Sequence, residues 1–438
     1  MLAVLSDRTY RHLFLAQVVA LLGTGLATMA LGLLAYDLAE DRAAMVLGTV
    51  FTIKMVAYVG IAPIAGAFAE RLPRRALLVT LDLVRAAVAL ALPFVTVVWQ
   101  IYILIFFLQS ASAAFTPTFQ ATIPDVLPDE ARYTRALSLS RLAYDLENII
   151  SPALAAVLLT VMSYNALFLG TVAGFGASAL LVLTVVLPVP KATVARGIYD
   201  RTTRGLRIYL ATPRLRGLLG LNLAVSSAGA MVLVNSVVLV RGQLGLDDAA
   251  LAWSMFAFGA GSMSAALVLP RVLDRFLDRP VMLTGAWLMV AALFGIAAGI
   301  VGFGLSLPLL LAIWLLIGLG SSAVLTPSGR LLRRSAHPED RPAVFAAQFA
   351  LSHACWLLTY PLAGWLMTAF GTVPALLVLG VWAAFGIVAA LQLWPTGVPN
   401  NLAHRHPDLS PDHPHLRRHG TQNHKHDVIV DDLHCRWP

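Results

Sequence analysis

The sequence predicts an all-α membrane protein, with twelve transmembrane helices arranged as two pseudo-symmetric six-helix bundles. Three observations carry this expectation. The 438 residues are 58% hydrophobic and only 12% charged, about half the charge of a soluble domain, and their mean hydropathy is +0.78. Twelve runs reach the roughly 20 apolar residues that a membrane-crossing helix needs. Lys and Arg gather in every second loop between those runs, the asymmetry expected of cytoplasmic loops.

In chain order the runs are His12–Asp37, Ala44–Ala69, Ala76–Val98, Gln100–Ile123, Ser138–Val161, Asn165–Leu187, Arg216–Val240, Ala250–Leu273, Val281–Phe303, Ser306–Thr326, Ala343–Thr368 and Thr372–Leu393. Arg8 and Arg11 precede the first run. Arg71, Arg74 and Arg75 follow the second, and Arg132 and Arg135 follow the fourth. Lys191, Arg196, Arg201, Arg204, Arg207 and Arg214 follow the sixth, and Arg271, Arg275 and Arg279 the eighth. Arg330, Arg333, Arg334 and Arg341 follow the tenth, whereas the intervening loops hold little that is basic beyond Arg42 and Arg241. The alternation places both termini in the cytoplasm.

The same placement bears on function. The 31 Lys and Arg exceed the 23 acids, but they lie in short loops between apolar runs, as membrane anchors do, so no nucleic-acid partner is expected. Cys355 and Cys435 are far apart and imply no disulfide framework. No nucleotide loop, His-Glu-x-x-His zinc site or nucleophile elbow occurs. Neither an enzyme nor a cofactor is expected. The first run is too long for a cleavable signal peptide and lacks a small-residue cleavage site, so it is read as the first span.

The polar, basic segment Pro188–Pro213 divides the chain almost evenly, and Ile198, Leu206, Ile208 and Tyr209 suggest an interfacial helix within it. Four regions follow: an N-terminal bundle (1–188), a cytoplasmic linker (189–214), a C-terminal bundle (215–394) and a polar tail expected to lack structure (395–438). The bundles carry matching motifs. Phe115-Thr-Pro-Thr118 pairs with Leu325-Thr-Pro-Ser328, and Pro128-Asp-Glu-Ala-Arg132 with Pro338-Glu-Asp-Arg341. Ser151-Pro-Ala-Leu-Ala155 pairs with Tyr360-Pro-Leu-Ala-Gly364. A near-constant offset points to duplication.

The turn Gly66-Ala-Phe-Ala-Glu70-Arg71-Leu-Pro73-Arg74-Arg75 resembles the loop between the second and third spans of the major facilitator superfamily. Gly66, Glu70, Arg71, Arg74 and Arg75 keep its pattern, and Pro73 replaces a usual Gly. Such arginines can hold neighbouring helix ends as a conformational latch, or serve only as a positive-inside anchor. The resemblance implies the major facilitator fold, a site near the bilayer midplane between the halves, and alternating access by rocking. Ser151-Pro152-Ala153-Leu154 resembles the fifth-span motif of antiporters in that superfamily, with Ser and Ala where Gly is usual.

Charges within spans need a partner or a job, since each costs about 2.5–3.5 kcal/mol at a helix centre. Asp82 and Arg85, three apart, are expected to form a structural pair, and Arg141 and Asp145, four apart, can pair likewise. Glu147 points away from Asp145 and has only Ala143 and Ser151 one turn away. It is read either as an unpaired acid that exchanges a proton with a cationic substrate, or as the salt-bridge partner of Lys54 in the second span. Asn148 could add an oxygen ligand. His353 and Cys355 have metal affinity, but at that spacing they cannot share one ion without distortion. A helix-to-helix hydrogen bond and a small buried hydrophobe are the plainer roles.

Eight of the eleven histidines lie in the tail: His404, His406, His413, His415, His419, His424, His426 and His434, the last beside Cys435. Imidazole clusters suit nickel, copper and zinc, though a solvated tail is the alternative. With Tyr144-Asp-Leu-Glu-Asn148 before Pro152, this tail resembles bacterial nickel-resistance exporters. That resemblance implies proton-coupled export of a divalent metal, nickel first and cobalt second, across a bacterial inner membrane. Tail histidines would be accessory ligands, with Glu147, Asp145 and Asn148 at the coupling site. An exporter of drugs or a siderophore is the first rival, and a membrane-embedded metal sensor or enzyme the second.

Overall fold

The structure is a computed structural model that describes residues 2–39, 43–69, 72–188, 197–396, 401–405, 416–417, 423–434 and 437. Its α-helices are α1 (Arg8–Ala39), α2 (Ala43–Ala69), α3 (Arg74–Ala91), α4 (Val98–Val126), α5 (Glu130–Leu159) and α6 (Tyr164–Leu183), then α7 (Ile198–Ala211). They continue with α8 (Pro213–Val237), α9 (Asp248–Leu273), α10 (Asp278–Phe303), α11 (Leu307–Arg334), α12 (Arg341–Phe370) and α13 (Thr372–Leu393). Among the described residues, 11 helices are both long and apolar enough to cross a membrane. These are all the expected spans but one. α5 has the length, at 30 residues, and its side chains at 148, 149, 152, 153 and 156 lie outside the described set.

Helix ends follow local chemistry. The Asp129 side chain accepts the Arg132 N–H at 2.8 Å and so caps α5, and Asp247 does the same for α9 from Ala250 at 3.0 Å. α10 and α12 end at Gly304 (φ 79°) and Gly371 (φ 84°), in the left-handed region that glycine enters without steric cost.

The duplication read from the sequence is visible in the packing. α1 lies on α6 as α8 lies on α13, and both crossings are made by glycine. A methyl group at Gly174 would sit 2.7 Å from the Val19 carbonyl oxygen and 3.1 Å from the Cα of Gly23. One at Gly220 would sit 2.4 Å from the carbonyl oxygen of Gly386, and the reverse holds too. Lipid supplies no hydrophobic drive between helices, so this close backbone approach, with its dispersion contacts, does the holding. The two halves meet through α2 on α12, α5 on α9 and α11, and α4 on α12.

The interfacial helix expected in the linker is α7, and its apolar face docks inward. Tyr209 is fully buried and its hydroxyl donates to Gln348 of α12 at 2.5 Å. The tail differs from expectation. Residues Asn401–Arg405 pair antiparallel with Asn423–Asp427 as β1 and β2, with His404 opposite His424. Beyond β2, Val428 and Val430 are buried, and Trp437 lies under the Arg214 guanidinium at 5.5 Å. The physical reason is local: the Val428-Ile-Val430 run has apolar surface to bury.

A candidate transport site between the two halves

α2, α5 and α12 bring polar and aromatic side chains together near their middles. Tyr58 of α2 stands edge-on to His353 of α12, with ring centroids 4.8 Å apart and planes at 86°. It also lies 4.8 Å from Phe349, which in turn sits 4.2 Å from His353. This aromatic stack joins the halves. The His353 Nδ1–H donates to the Phe349 carbonyl oxygen at 2.7 Å, which fixes the ring and its tautomer. One turn before Tyr58, the Lys54 ammonium lies 5.6 Å from the centre of the Tyr58 ring, a cation–π contact.

Glu147 of α5 faces the same region, and its charge and that of Lys54 act on one another. Among the described residues, however, neither makes an ion pair within 4.0 Å. Of the two readings of Glu147, the structure therefore yields an intermediate one, a carboxylate neighboured but not bridged by Lys54. α1 presses against this part of α5: a methyl at Gly25 would lie 2.2 Å from the Ser151 side chain and 3.6 Å from Cγ of Glu147.

Asp145, two residues earlier, points elsewhere. It is buried and bridged by Arg141 at 3.0 Å, whose Nε donates across the halves to Ser262 of α9 at 2.8 Å. Asp145 thus helps seal α5 to α9. The side chains of Asn148 and Pro152 lie outside the described set. Asp82 and Arg85 form the expected structural pair. Ser178 donates to Asp82 at 2.8 Å, and the guanidinium lies 4.0 Å from the Phe115 ring and 4.4 Å from the Phe175 ring. Lys54 takes no part in that pair.

The metal-ligand candidates do not converge. Cys355 is buried and free, while His353 faces Tyr58. Among the described residues, no group of three His, Cys, Asp or Glu side chains is placed to hold a metal ion. His406, His413, His415, His419 and Cys435 lie outside the described residues, and of His404, His424 and His426 only the backbone is described. His434 is described, with its Nδ1 2.9 Å from Asp431.

The expected latch is partly visible at the end of the bundle that carries the basic loops. Glu70 and Arg71 lie outside the described residues. Gly66 touches α12 so closely that a methyl there would stand 2.6 Å from Cβ of Ala346. Arg74, at the start of α3, holds Asp125 at 2.6 Å, and Asp125 also takes Arg341 from the start of α12. Arg75 is exposed. A second set has the opposite signs: Asp278, at the start of α10, holds Arg330 at 3.0 Å and Arg334 at 2.9 Å. Both arginines also hold Glu130 from the start of α5, Arg330 at 2.8 Å. Among the described residues, every ion pair between the halves lies at this basic end.

Sequence reasoning missed Asp125, Glu130, Asp278, Tyr58 and Phe349. The acids had a legible signal, since each sits at a helix end facing an arginine-bearing loop. The aromatic pair had none, because the two rings come from distant parts of the chain.

Comparison with known proteins agrees with this architecture. The model of the Major Facilitator Superfamily matches residues 13–231 and again 219–420. Macrolide efflux protein A of Streptococcus pyogenes is 28% identical over 177 residues, 39% of this chain and 43% of that protein. The chain thus spans less than half of the macrolide efflux protein it matches. An uncharacterized transporter of the same type from Bacillus subtilis, YvqJ, is 24% identical over 85% of this chain and 89% of its own. Two solved structures share the fold over 88% of this chain and 99% of theirs. The human organic anion transporter MFSD10 has TM-score 0.75 at 15% identity. A bacterial homologue of the iron transporter ferroportin, in its outward-facing state, has 0.74 at 13%. With two matches that together cover both bundles, the chain belongs to the Major Facilitator Superfamily.

Proposed function

We propose that the protein is an exporter of amphipathic organic molecules, driven by proton entry and working by alternating access. The observation that carries this reading is Glu147: a membrane-embedded carboxylate between the halves, without an ion pair within 4.0 Å among the described residues. A buried acid of this kind binds either a proton or a cation, which is the exclusion an antiporter needs. Tyr58, Phe349 and His353 give the apolar body of a substrate a surface beside it. The partial likeness to macrolide efflux proteins supports efflux and an organic substrate.

In this reading both termini face the cytoplasm of a bacterial inner membrane, and the basic end is the cytoplasmic gate. The structure is then the state closed to the cytoplasm. Gly66, Arg74 and Asp125, with Glu70, Arg71 and Arg75 of the same loop, form one latch on α12. The region assignments 1–188, 189–214, 215–394 and 395–438 serve this scheme as two rocking bundles, a linker and a tail.

A second reading keeps the mechanism and changes the substrate to a divalent metal, nickel before cobalt. The eight tail histidines favour it. Inverted membrane vesicles under an imposed pH gradient decide between the two. Uptake of a lipophilic cation dye, abolished in Glu147→Gln and retained after removal of residues 403–438, is the expected result. Uptake of nickel but not dye would establish the second reading. Uptake of either that ignores the gradient would end proton coupling.

A further inference from the structure

Lys54 has no role in the scheme above. It is the one charged residue of α2, and a bare ammonium near a span centre costs about 2.5–3.5 kcal/mol. The groups that face it are few. Its own helix offers Tyr58, and α5 offers Tyr144 and Glu147, both within electrostatic reach of this region. α12 offers His353, whose Nδ1–H is committed to the Phe349 carbonyl. Arg85 of α3 acts on Tyr58, but it is committed to Asp82. Among the described residues, one anion here makes no ion pair within 4.0 Å, Glu147. A lysine carries its charge on a flexible four-carbon stem, so the same ammonium can lie over the Tyr58 ring, as it does here at 5.6 Å, or swing to the carboxylate.

We propose that Lys54 is a tethered competitor for Glu147, a built-in cation that exchanges between the Tyr58 ring and the carboxylate and that the cationic group of a substrate must hold off. The inference rests on the reading of Glu147 given above and adds a substrate class. One carboxylate neutralises one positive charge, so the substrate that replaces the ammonium at Glu147 is a molecule with a single positive charge. Its apolar body then packs on the Tyr58–Phe349–His353 stack. Lys54 is a positioning residue in this scheme: from its place beside Glu147 it sets how tightly a cation binds there, and clears the site on release.

Equilibrium binding of tetraphenylphosphonium to the full-length protein in nanodiscs, at one pH, tests this. Lys54→Met removes the competitor and is expected to bind the probe about tenfold more tightly, equivalent to about 1.4 kcal/mol. Lys54→Arg keeps a tethered cation and should bind as the parent does. In Lys54→Met/Glu147→Gln the gain should vanish. Gel filtration and thermal melting confirm that each variant is folded, and Lys54→Arg guards against a loss of packing in the methionine variant. Binding by a folded Lys54→Met that is no tighter than the parent overturns the proposal, as does a gain that survives Glu147→Gln. The parent reading fails separately, if Glu147→Gln alone leaves binding unchanged.

Discussion

The two halves close the basic end with the same parts and opposite charges. In the N-terminal half an arginine at the start of α3, Arg74, holds an acid at the end of α4, Asp125, which also takes Arg341 from the other half. In the C-terminal half an acid at the start of α10, Asp278, holds arginines at the end of α11, which also take Glu130 from the other half. Duplication kept the geometry and exchanged the signs. The two sets are not equally robust. Asp125 alone neutralises two arginines, and the Arg74 side chain is 4% exposed. Arg330 and Arg334 share two acids, so either acid can be lost with one remaining.

The largest effect is therefore expected at Asp125. In Asp125→Asn, Arg74 and Arg341 would face one another without an anion between them, and stranding a buried charge costs about 3–5 kcal/mol. The closed basic end should give way. Spin labels at Arg75 and Phe276, both exposed and one in each half, should show a longer, broader distance distribution than in the parent. An unchanged distribution would mean that Asp125 does not hold the gate.

Glu130→Gln should do far less. Its side chain is 41% exposed, Asp278 still neutralises both arginines, and exposed pairs contribute less than about 1 kcal/mol. The same labelled pair should shift slightly, and only as a change in population. If Glu130→Gln opened the end as widely as Asp125→Asn, the asymmetry drawn between the halves would be mistaken.

Much of this architecture was legible in the sequence, because lipid imposes a length and loop charge imposes a direction. α5 was found by length even though it carries more charge than an ordinary span. Pro117 and Pro327 marked equivalent turns of α4 and α11. The site was legible only in part. Glu147 and Lys54 stood out as charges in apolar runs, but whether they bridge depends on how α2 leans on α5, which no spacing encodes. Tyr58 and Phe349 are ordinary aromatics until α2 meets α12. Asp278 hid behind the sign inversion: at the start of α10 an acid stands where α3 carries an arginine. In the tail, an average over polar residues masked the three apolar ones that dock.

The smallest effect belongs to that docked segment, which braces the C-terminal side of the comparison alone. Asp432 holds Arg204 of α7 at 2.8 Å, and Arg204 in turn donates to Asp340, at 2.8 Å through Nη2, just before α12. Asp431 lies 3.4 Å from His337, in the turn between α11 and α12. The hydrogen bond to Asp431 raises the His337 pKa above its ordinary 6.5, against an opposing effect of burial. Burial alone would raise Asp431, but hydrogen bonds from His337 and His434 outweigh it and hold the carboxyl below its usual range. Asp431 therefore stays ionised at neutral pH, and the sign is set by His337. A group whose pKa is raised by docking contributes fully below its undocked value and loses that contribution as pH rises through the docked one. A spin label at Leu433, which is 38% exposed, should thus be immobile near pH ~6 and gain mobility toward pH ~8 as the imidazole loses its proton. In Asp431→Asn the label should be mobile at both, while the distance between Arg75 and Phe276 changes little. A pH response that persisted in Asp431→Asn would assign it to some group other than His337.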